Sequence, residues 1–383
     1  MTIIYIRIPQ IHEEIGSTPG DILVFLTGQE EIEAMVRQIK LIASEATYEN
    51  GSKSLKLSVI PLFATQQPAV QEKVFTPTKP GFRKIIVATN VAETSITIPG
   101  VRYVVDCCRV KAKVYQPSTG IDVLKTVLVS QAQAWQRTGR AGREGEGHCY
   151  RMLTKEKFQK LPKTTVPEVL RCNLSSVILQ LLTVGVKDVE KFDFLERPPT
   201  DSLHCAMRLL KLLGAVGGGG VDDVNLTDLG KKMSAFPIAP QFAKAILNAK
   251  DLGCTEEVVT IVAILSGESI LVTPVAKREE ALAARKKFAS SEGDHITYLK
   301  IFRAFKSAQD QREWCLQNFV NLRQMRFAVE VRKQLMELCR KEDIPVQSAG
   351  NQTEPVRKAL AQGLFTNVAR LTREGTYVTV IYI

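Results

Sequence analysis

Ile22-Leu23-Val24-Phe25-Leu26 is an unbroken apolar run, closed by Thr27-Gly28-Gln29. A strand with one wet face alternates apolar and polar residues. A continuous run reads as a strand covered on both faces, as in a parallel sheet. Leu55 to Ile60 alternates into a second strand. Ile85-Ile86-Val87-Ala88 is a third, ending at Thr89-Asn90, and Tyr103-Val104-Val105 is a fourth, ending at Asp106. His148-Cys149-Tyr150-Arg151-Met152 reads as the last. Helical patterning separates these runs between residues 20 and 165. Strands alternating with helices imply a parallel sheet with helices on both faces. Ligands bind such sheets at the carboxyl ends of the strands. Thr27-Gly28-Gln29, Thr89-Asn90 and Asp106 all fall there. Thr27, with Glu30 three residues on, predicts a capping box for the next helix.

Residues 110–130 break the rhythm. Val110 to Tyr115, then Pro117-Ser118-Thr119-Gly120, then Ile121 to Val129 read as a long hairpin. From about 167 short helices take over. Leu174 to Leu182 and Cys205 to Leu213 are amphipathic. Gly217 to Gly220, followed by Val221 to Leu226, resembles the wing of a small helical domain, or serves as a linker. Asp228 to Met233 and Ala243 to Ala249 begin further helices, split by Pro237 and Pro240. Residues 239–345 are helical by period, with long stretches at 276–290, 296–309 and 311–340. A helix is expected at Val356–Ala369. Tyr377 to Ile383 reads as a strand with no partner, so the last domain is expected to be cut short.

Between hairpin and last strand stands Gln136-Arg137-Thr138-Gly139-Arg140-Ala141-Gly142-Arg143. Gln136, Arg140 and Arg143 are spaced i, i+4 and i+7, which places them on one face if the segment is a helix. Arg137 falls on the flank. Gly139 and Gly142 leave room for close approach to the backbone. Guanidinium groups hold phosphate through paired hydrogen bonds and stay charged. The segment is therefore either a solvated basic helix or a row of forks for a transferring phosphoryl group.

The 383 residues exceed one ordinary core, so two to four domains are expected. An apolar share of 45% with 24% charged residues describes a globular chain. The net charge of +11 favours a polyanionic partner. Residues 300–383 hold 14 Lys/Arg against 8 Asp/Glu, a net of +6, so positive charge is densest there. Eight scattered cysteines form no CxxC pair, and only four histidines exist, so no zinc-site spacing appears. Such cysteines suit a reducing compartment. No apolar run reaches a membrane span, and the first residues lack signal-peptide character.

Several stretches resemble DEAH-box RNA helicases. Gly20 to Glu33, containing Leu26-Thr27-Gly28-Gln29-Glu30, is similar to their motif IV. Ala88-Thr89-Asn90-Val91-Ala92-Glu93-Thr94-Ser95-Ile96-Thr97-Ile98 is similar to motif V, and Gln136 through Arg143 to motif VI. Leu226-Thr227-Asp228-Leu229-Gly230 with Phe236-Pro237 resembles the end of their winged helix. Trp314 to Phe319, with Val331 to Leu335, resembles their helical ratchet domain. The resemblance spans nearly the whole chain in the family's order.

It implies an α/β RecA-like domain with a parallel sheet over 1–166, the second of the family's pair. A winged helix over 167–235 and a mostly helical ratchet domain over 236–345 would follow, then the start of a β-barrel OB-fold over 346–383. It implies that Gln136, Arg140 and Arg143 reach the phosphates of ATP, with both arginines acting as fingers on the γ-phosphate. Phe75 would stack on the base, or else fill the core. Thr94 and Gly139 would lie near the nucleotide. Thr89, Asn90, Ser95, Thr97, Gly28 and Gln29 would touch RNA. The hairpin matches the family's strand-splitting element, or is a structural ribbon.

No GxxxxGK[ST] occurs in the chain, nor the acidic box that holds Mg²⁺. Both belong to the family's first RecA-like domain. Pro99 stands where many members carry an acidic residue, and Cys107-Cys108 replaces a small-residue/Gly pair. The chain is thus expected to be the C-terminal portion of an ATP-dependent RNA helicase that moves 3′ to 5′, as a fragment, splice product or incomplete gene model, inactive alone. It is expected to be intracellular, in nucleus or nucleolus, with RNA and a G-patch activator as partners and no membrane. A non-catalytic module binding RNA or a G-patch partner is the alternative, and a DNA helicase of related fold a third reading.

Overall fold

The apolar runs pair with one another because each needs cover on both faces. In a computed structural model, which describes residues 2–45, 55–64, 66, 68–94, 96–117, 119–218, 225–274 and 277–379, the chain opens with helix α1 (Thr2–Ile15). Strand β1 (Asp21–Phe25), helix α2 (Gln29–Glu45), β2 (Lys56–Leu62), α3 (Pro68–Phe75), β3 (Phe82–Ala88) and β4 (Val101–Asp106) follow. Then come β5 (Arg109–Gln116), β6 (Ile121–Leu128), α4 (Gln131–Thr138), β7 (His148–Arg151) and α5 (Lys155–Gln159). One parallel sheet has the order β2-β3-β1-β4-β7. The expected doubly covered sheet is present.

Alternation sorts its side chains. Ile22, Val24, Ile85, Val87, Tyr103 and Val105 face one layer, packed with Ile8 and Ile11 of α1 and Ile32, Met35 and Ile39 of α2. Leu23, Phe25, Ile86, Ala88 and Val104 face the other, with Val74 of α3, Ile98 and Ala141. Each fully buried branched side chain contributes roughly 1.5–3 kcal/mol relative to exposure. The start of α2 differs from expectation by one residue. Gly28 supplies the first helical carbonyl, to Ile32 N–H. The backbone N–H and hydroxyl of Thr27 therefore donate to Glu31, at 3.1 and 2.6 Å, rather than to Glu30.

The C-terminal end of α1 is tied to the sheet by Arg83, which is fully buried on β3. Its guanidinium donates to the carbonyls of Gly16, Thr18 and Gly20 at 2.6–3.1 Å and lies 2.7 Å from His12 Nδ1. Burial, then the Arg83 charge, pushes the His12 pKa below its usual value. The unfolded chain therefore takes up a proton near pH 6.5 that the folded unit resists, so stability falls as pH drops through that range. We expect a lower urea midpoint at pH 5.5 than at 7.5, with a smaller difference in His12→Gln. An equal pH slope in both proteins would remove His12 as the cause.

The chain divides into two compact units, residues 1–113 with 124–166, and residues 114–123 with 167–383. The expected hairpin is the two-stranded β5–β6 ribbon. The second unit contains α6 (Ser175–Thr183), α7 (Thr200–Leu212), β8 (Val216–Gly217), β9 (Asn225–Leu226), α8 (Asp228–Ser234), α9 (Pro240–Ala249) and α10 (Thr255–Leu265). It continues with α11 (Arg278–Lys286), α12 (Asp294–Ser307), α13 (Gln311–Gln317), α14 (Leu322–Lys341), α15 (Glu354–Leu364), β10 (Ala369–Leu371) and β11 (Tyr377–Thr379). Its core surrounds α10, where Val258, Val259, Ile261, Val262 and Ala263 are all buried. The glycine-rich segment enters a short antiparallel ribbon, Val216 opposite Leu226; residues 219–224 lie outside the described ones.

Three expectations change in this unit. The stretch 311–340 is two helices, broken where Phe319 adopts φ 52° and the Asn321 side chain caps α14 by accepting from Arg323 and Gln324 N–H. The helix expected at 356–369 stops at Leu364, and Ala369 already belongs to a strand. The C-terminal strand has a partner: β11 pairs antiparallel with β10, Ala369 opposite Thr379. A tight turn closed by Thr372 and Gly375 (φ 79°) makes that pairing local, and β10 itself is only three residues long. Residues 380–383 lie outside the described ones.

Candidate functional site

Phe25 of β1 pairs with Ala88 of β3 on one side and Asp106 of β4 on the other. The three chains therefore leave the sheet at one edge, which gathers Thr27-Gly28-Gln29, the Thr89–Thr97 loop and Asp106. Motif VI joins them from α4. This helix begins with a capping box, in which Ser130 accepts from Gln133 N–H and Gln133 accepts from Ser130 N–H. It ends at Thr138, with Gly139 as its C-cap. Gln136 is thus helical and exposed, whereas Arg140 and Arg143 follow in a turn. The single helical face expected from their spacing is not formed. Two glycines in four residues, Gly139 and Gly142, disfavour continuation of the helix.

The turn places the arginines by other means. Arg140 donates to the carbonyls of Ile96, at 2.9 Å, and Glu93. Arg143 donates to the Thr97 hydroxyl. Both therefore fold onto the motif V loop. Their partners are neutral oxygens, so their charge is not offset by a carboxylate at these bonds. Burial, then the neighbouring Arg143 charge, lowers the Arg140 pKa. Two converging guanidinium groups that are incompletely compensated suit an anion. Glu144, the nearest carboxylate in sequence, accepts instead from Gly100 N–H at 3.1 Å.

Arg137 holds this arrangement together, although sequence spacing put it on the flank. It is fully buried. Its Nε donates to Glu93 at 2.9 Å and its Nη1 to Asp106 at 2.7 Å. Its guanidinium lies 4.8 Å from the centre of the Phe25 ring. Burial opposes its charge, but Asp106 and Glu93 outweigh that, so its pKa is raised. Glu93 is consequently a two-sided latch: its carboxylate holds Arg137 and its carbonyl holds Arg140. The signal that could have found it is the sequence Asp106 at a strand end plus Glu93 in an otherwise uncharged loop, two carboxylates needing one cation.

Backbone geometry supports the same edge. Cys108 adopts φ 55°, a left-handed conformation that favours glycine. It stands at the departure noted in the sequence, and its N–H donates to Asp106 at 2.8 Å. A Cβ on Gly147 would lie 2.3 Å from the Ala141 carbonyl, so only glycine lets the motif VI turn pass β7.

The remaining expected residues are dispersed along the edge. Thr89 caps a short 3-10 turn, Asn90–Ala92, by accepting from Val91 N–H. A full helix start is not formed at this point. Asn90, Thr94, Thr97 and Gly139 are exposed. Ser95 lies outside the described residues. Gly28 is buried, with the Lys111 ammonium close to it. Gln29 donates to Glu33 at 2.9 Å. Phe75 ends α3 and is 42% exposed, which excludes the core alternative. Among the described residues no cluster of three or more His, Cys, Asp or Glu could hold a metal ion. No helix of the described residues is long and apolar enough to cross a membrane.

Comparison with known proteins gives the same picture in three parts. Residues 7–145 match the helicase conserved C-terminal domain, residues 206–238 the winged-helix part of the helicase associated domain (HA2), and residues 239–298 its ratchet-like part. The chain is 50% identical to mouse ATP-dependent RNA helicase DHX33 over 370 residues, covering 97% of this chain and 52% of that protein. It is 42% identical to the Drosophila melanogaster protein of the same name, over 94% of this chain and 51% of that one. It is 41% identical to the Schizosaccharomyces pombe pre-mRNA-splicing factor ATP-dependent RNA helicase prp22, over 97% and 31%. The chain spans about half the length of the DHX33 relatives it matches.

Proposed function

Because the chain belongs to the DEAH-box family of RNA helicases, we propose that it forms the arginine-bearing half of an NTP site and part of an RNA track. The observation that carries this reading is the pair Arg140 and Arg143. They converge at the sheet edge on neutral oxygens, beside an Arg137 already neutralised by Glu93 and Asp106. Polyphosphate is the ligand that such a pair fits.

In this reading Arg140 and Arg143 act on the γ-phosphate, and Gln136, exposed one turn earlier, lines the same cleft. Phe75 stacks on the base, with Thr94 and Gly139 near the nucleotide. Bound ATP with Mg²⁺ supplies the transferable phosphoryl group, and the residues for the metal and the phosphate cradle come from another lobe. Thr89, Asn90, Ser95, Thr97, Gly28 and Gln29 form the RNA side. Hydroxyls and amides of that kind grip a backbone without reading sequence. Since Arg140 and Arg143 rest on the loop that carries Thr97, RNA at that loop and nucleotide at the arginines would report to each other through Glu93, Ile96 and Thr97.

The proposed division is a second RecA-like domain over 1–166, a winged helix over 167–235, a ratchet domain over 236–345 and the start of an OB-fold over 346–383. The β10–β11 hairpin supports the last of these only as the presence of paired strands. Translocation 3′ to 5′, a G-patch activator and a nuclear or nucleolar location are further parts of the proposal. A splicing role in the printed name of the fission yeast relative favours the nucleus. With no P-loop among the 383 residues, the isolated chain is read as an RNA-binding module.

The test is direct. The purified chain should bind fluorescent single-stranded RNA, and log affinity should fall linearly with log salt, by roughly 0.7 per phosphate neutralised. It should turn over no ATP with or without RNA. ATP hydrolysis above background by this chain alone would overturn the half-site assignment. Absence of RNA binding at low salt would remove the RNA track.

A further inference from the structure

One surface of the first unit is not used by any of these roles. Trp135 lies on α4 next to Gln136 and is 59% exposed. A tryptophan ring offers a large flat apolar face, which suits it to contact with a partner. Arg151, at the end of β7, sits in the corner between two nearly perpendicular rings, its guanidinium 4.5 Å from the centre of Trp135 and 4.3 Å from that of Phe158. Trp135 and Phe158 meet edge to face at 6.3 Å. The Arg151 Nη2 donates to the Thr138 hydroxyl at 2.8 Å, which fixes the guanidinium in that corner. Trp135 is therefore held from behind, with the rest of its ring toward solvent.

A basic segment reaches this ring through Phe158. Segment 155–163, Lys-Glu-Lys-Phe-Gln-Lys-Leu-Pro-Lys, carries four exposed lysines and one glutamate. It is bonded to the first turn of α4: Gln131 N–H donates to the Pro162 carbonyl and Ala132 N–H to that of Lys163, at 2.9 and 3.0 Å. Gln131 Nε2 also donates to the carbonyls of Gln159 and Leu161. The lysine-bearing segment and the helix that carries the ring are thus tied together. An immobilised aromatic face flanked by cations is the arrangement that stacks an unpaired base while holding its phosphates.

We propose that Trp135, backed by Arg151 and Phe158 and flanked by Lys155, Lys157, Lys160 and Lys163, is a contact for single-stranded RNA separate from the Thr89–Thr97 loop. The base stacks on the outer face of Trp135, and the lysines hold the adjoining phosphates. Stacking reads no sequence, so the contact is sequence-tolerant. It would lengthen the footprint of the strand on this unit. An acidic protein segment is the competing occupant; the planar, cation-backed ring favours the base.

The chain holds two tryptophans, Trp135 and Trp314. In Trp314→Phe the fluorescence comes from Trp135 alone. Adding single-stranded oligouridylate should quench it to saturation. Trp135→Ala should weaken RNA binding roughly tenfold, as loss of one stacked base does, while Trp135→Phe keeps most of the affinity. Lys157→Glu with Lys160→Glu should weaken it further and flatten the salt dependence, with unchanged circular dichroism. RNA that binds normally to Trp135→Ala without quenching in Trp314→Phe overturns this contact and leaves the Thr89–Thr97 track standing. Quenching by a poly-glutamate peptide but not by RNA also overturns it. No RNA binding by the wild-type chain would remove both.

Discussion

Replacement of Arg137 by Met is expected to destabilise the first unit by about 3–5 kcal/mol, the usual cost of stranding a buried charge. Arg137 is fully buried between Glu93 and Asp106, which are also buried. Met keeps most of the apolar stem and its packing on Phe25, so the loss comes from two carboxylates left without a cation. Lysine should recover only part of it. A single ammonium cannot span bonds of 2.9 and 2.7 Å that leave one guanidinium in different directions. The cost should shrink when the stranded charges are removed as well, as in Arg137→Met with Glu93→Gln and Asp106→Asn. That non-additivity separates an electrostatic pin from a packing defect. Urea unfolding followed through Trp135 emission in a Trp314→Phe background reads this unit by itself. A single Arg137→Met variant within about 1 kcal/mol of its parent would contradict the pin.

The sheet was legible because its cause is local and repeated. Ile22–Leu26 and Ile85–Ala88 can be satisfied only between two layers, and the structure puts residues of both runs in both cores. The ends of those strands, and so the edge where ligands gather, follow from the same runs. Motif VI was legible in composition but not in shape. Spacing of i, i+4 and i+7 says where side chains lie only if the helix continues, and Gly139 ends it. The role of Arg137 was hidden for a different reason. Its partners Glu93 and Asp106 are 44 and 31 residues away, and no periodicity connects them. Strand β10, the partner of the C-terminal strand, escaped because three residues carry too little pattern to detect. Long-range polar pairing and short pieces are thus what a pattern read along the chain passes over.

Arg140→Ala and Arg143→Ala, each introduced into a protein that carries this chain together with a P-loop lobe, should lower kcat for RNA-stimulated ATP hydrolysis by about 1,000-fold or more if these groups meet the γ-phosphate. The expected pattern is loss of kcat with little change in KM, because charge develops on the transferring group only in the transition state. Lysine should not restore the rate, since a point charge does not reproduce the guanidinium fork. The two positions should differ in one respect. Arg140 also carries the carbonyls of Glu93 and Ile96, so its removal should loosen the motif V loop and weaken RNA binding as well. Among the described residues of that loop Arg143 meets the Thr97 hydroxyl alone, so Arg143→Ala should leave RNA affinity near the parent value. Thr97→Val tests that bond from the other side: it frees Arg143 without removing it, so kcat at saturating RNA should fall far less than in Arg143→Ala even where the RNA needed for half-stimulation rises. Both arginine variants should unfold at urea midpoints close to the parent, in contrast to Arg137→Met, because neither neutralises a buried carboxylate. Near-normal turnover in Arg143→Ala would mean that the converging pair serves the loop and not the phosphate.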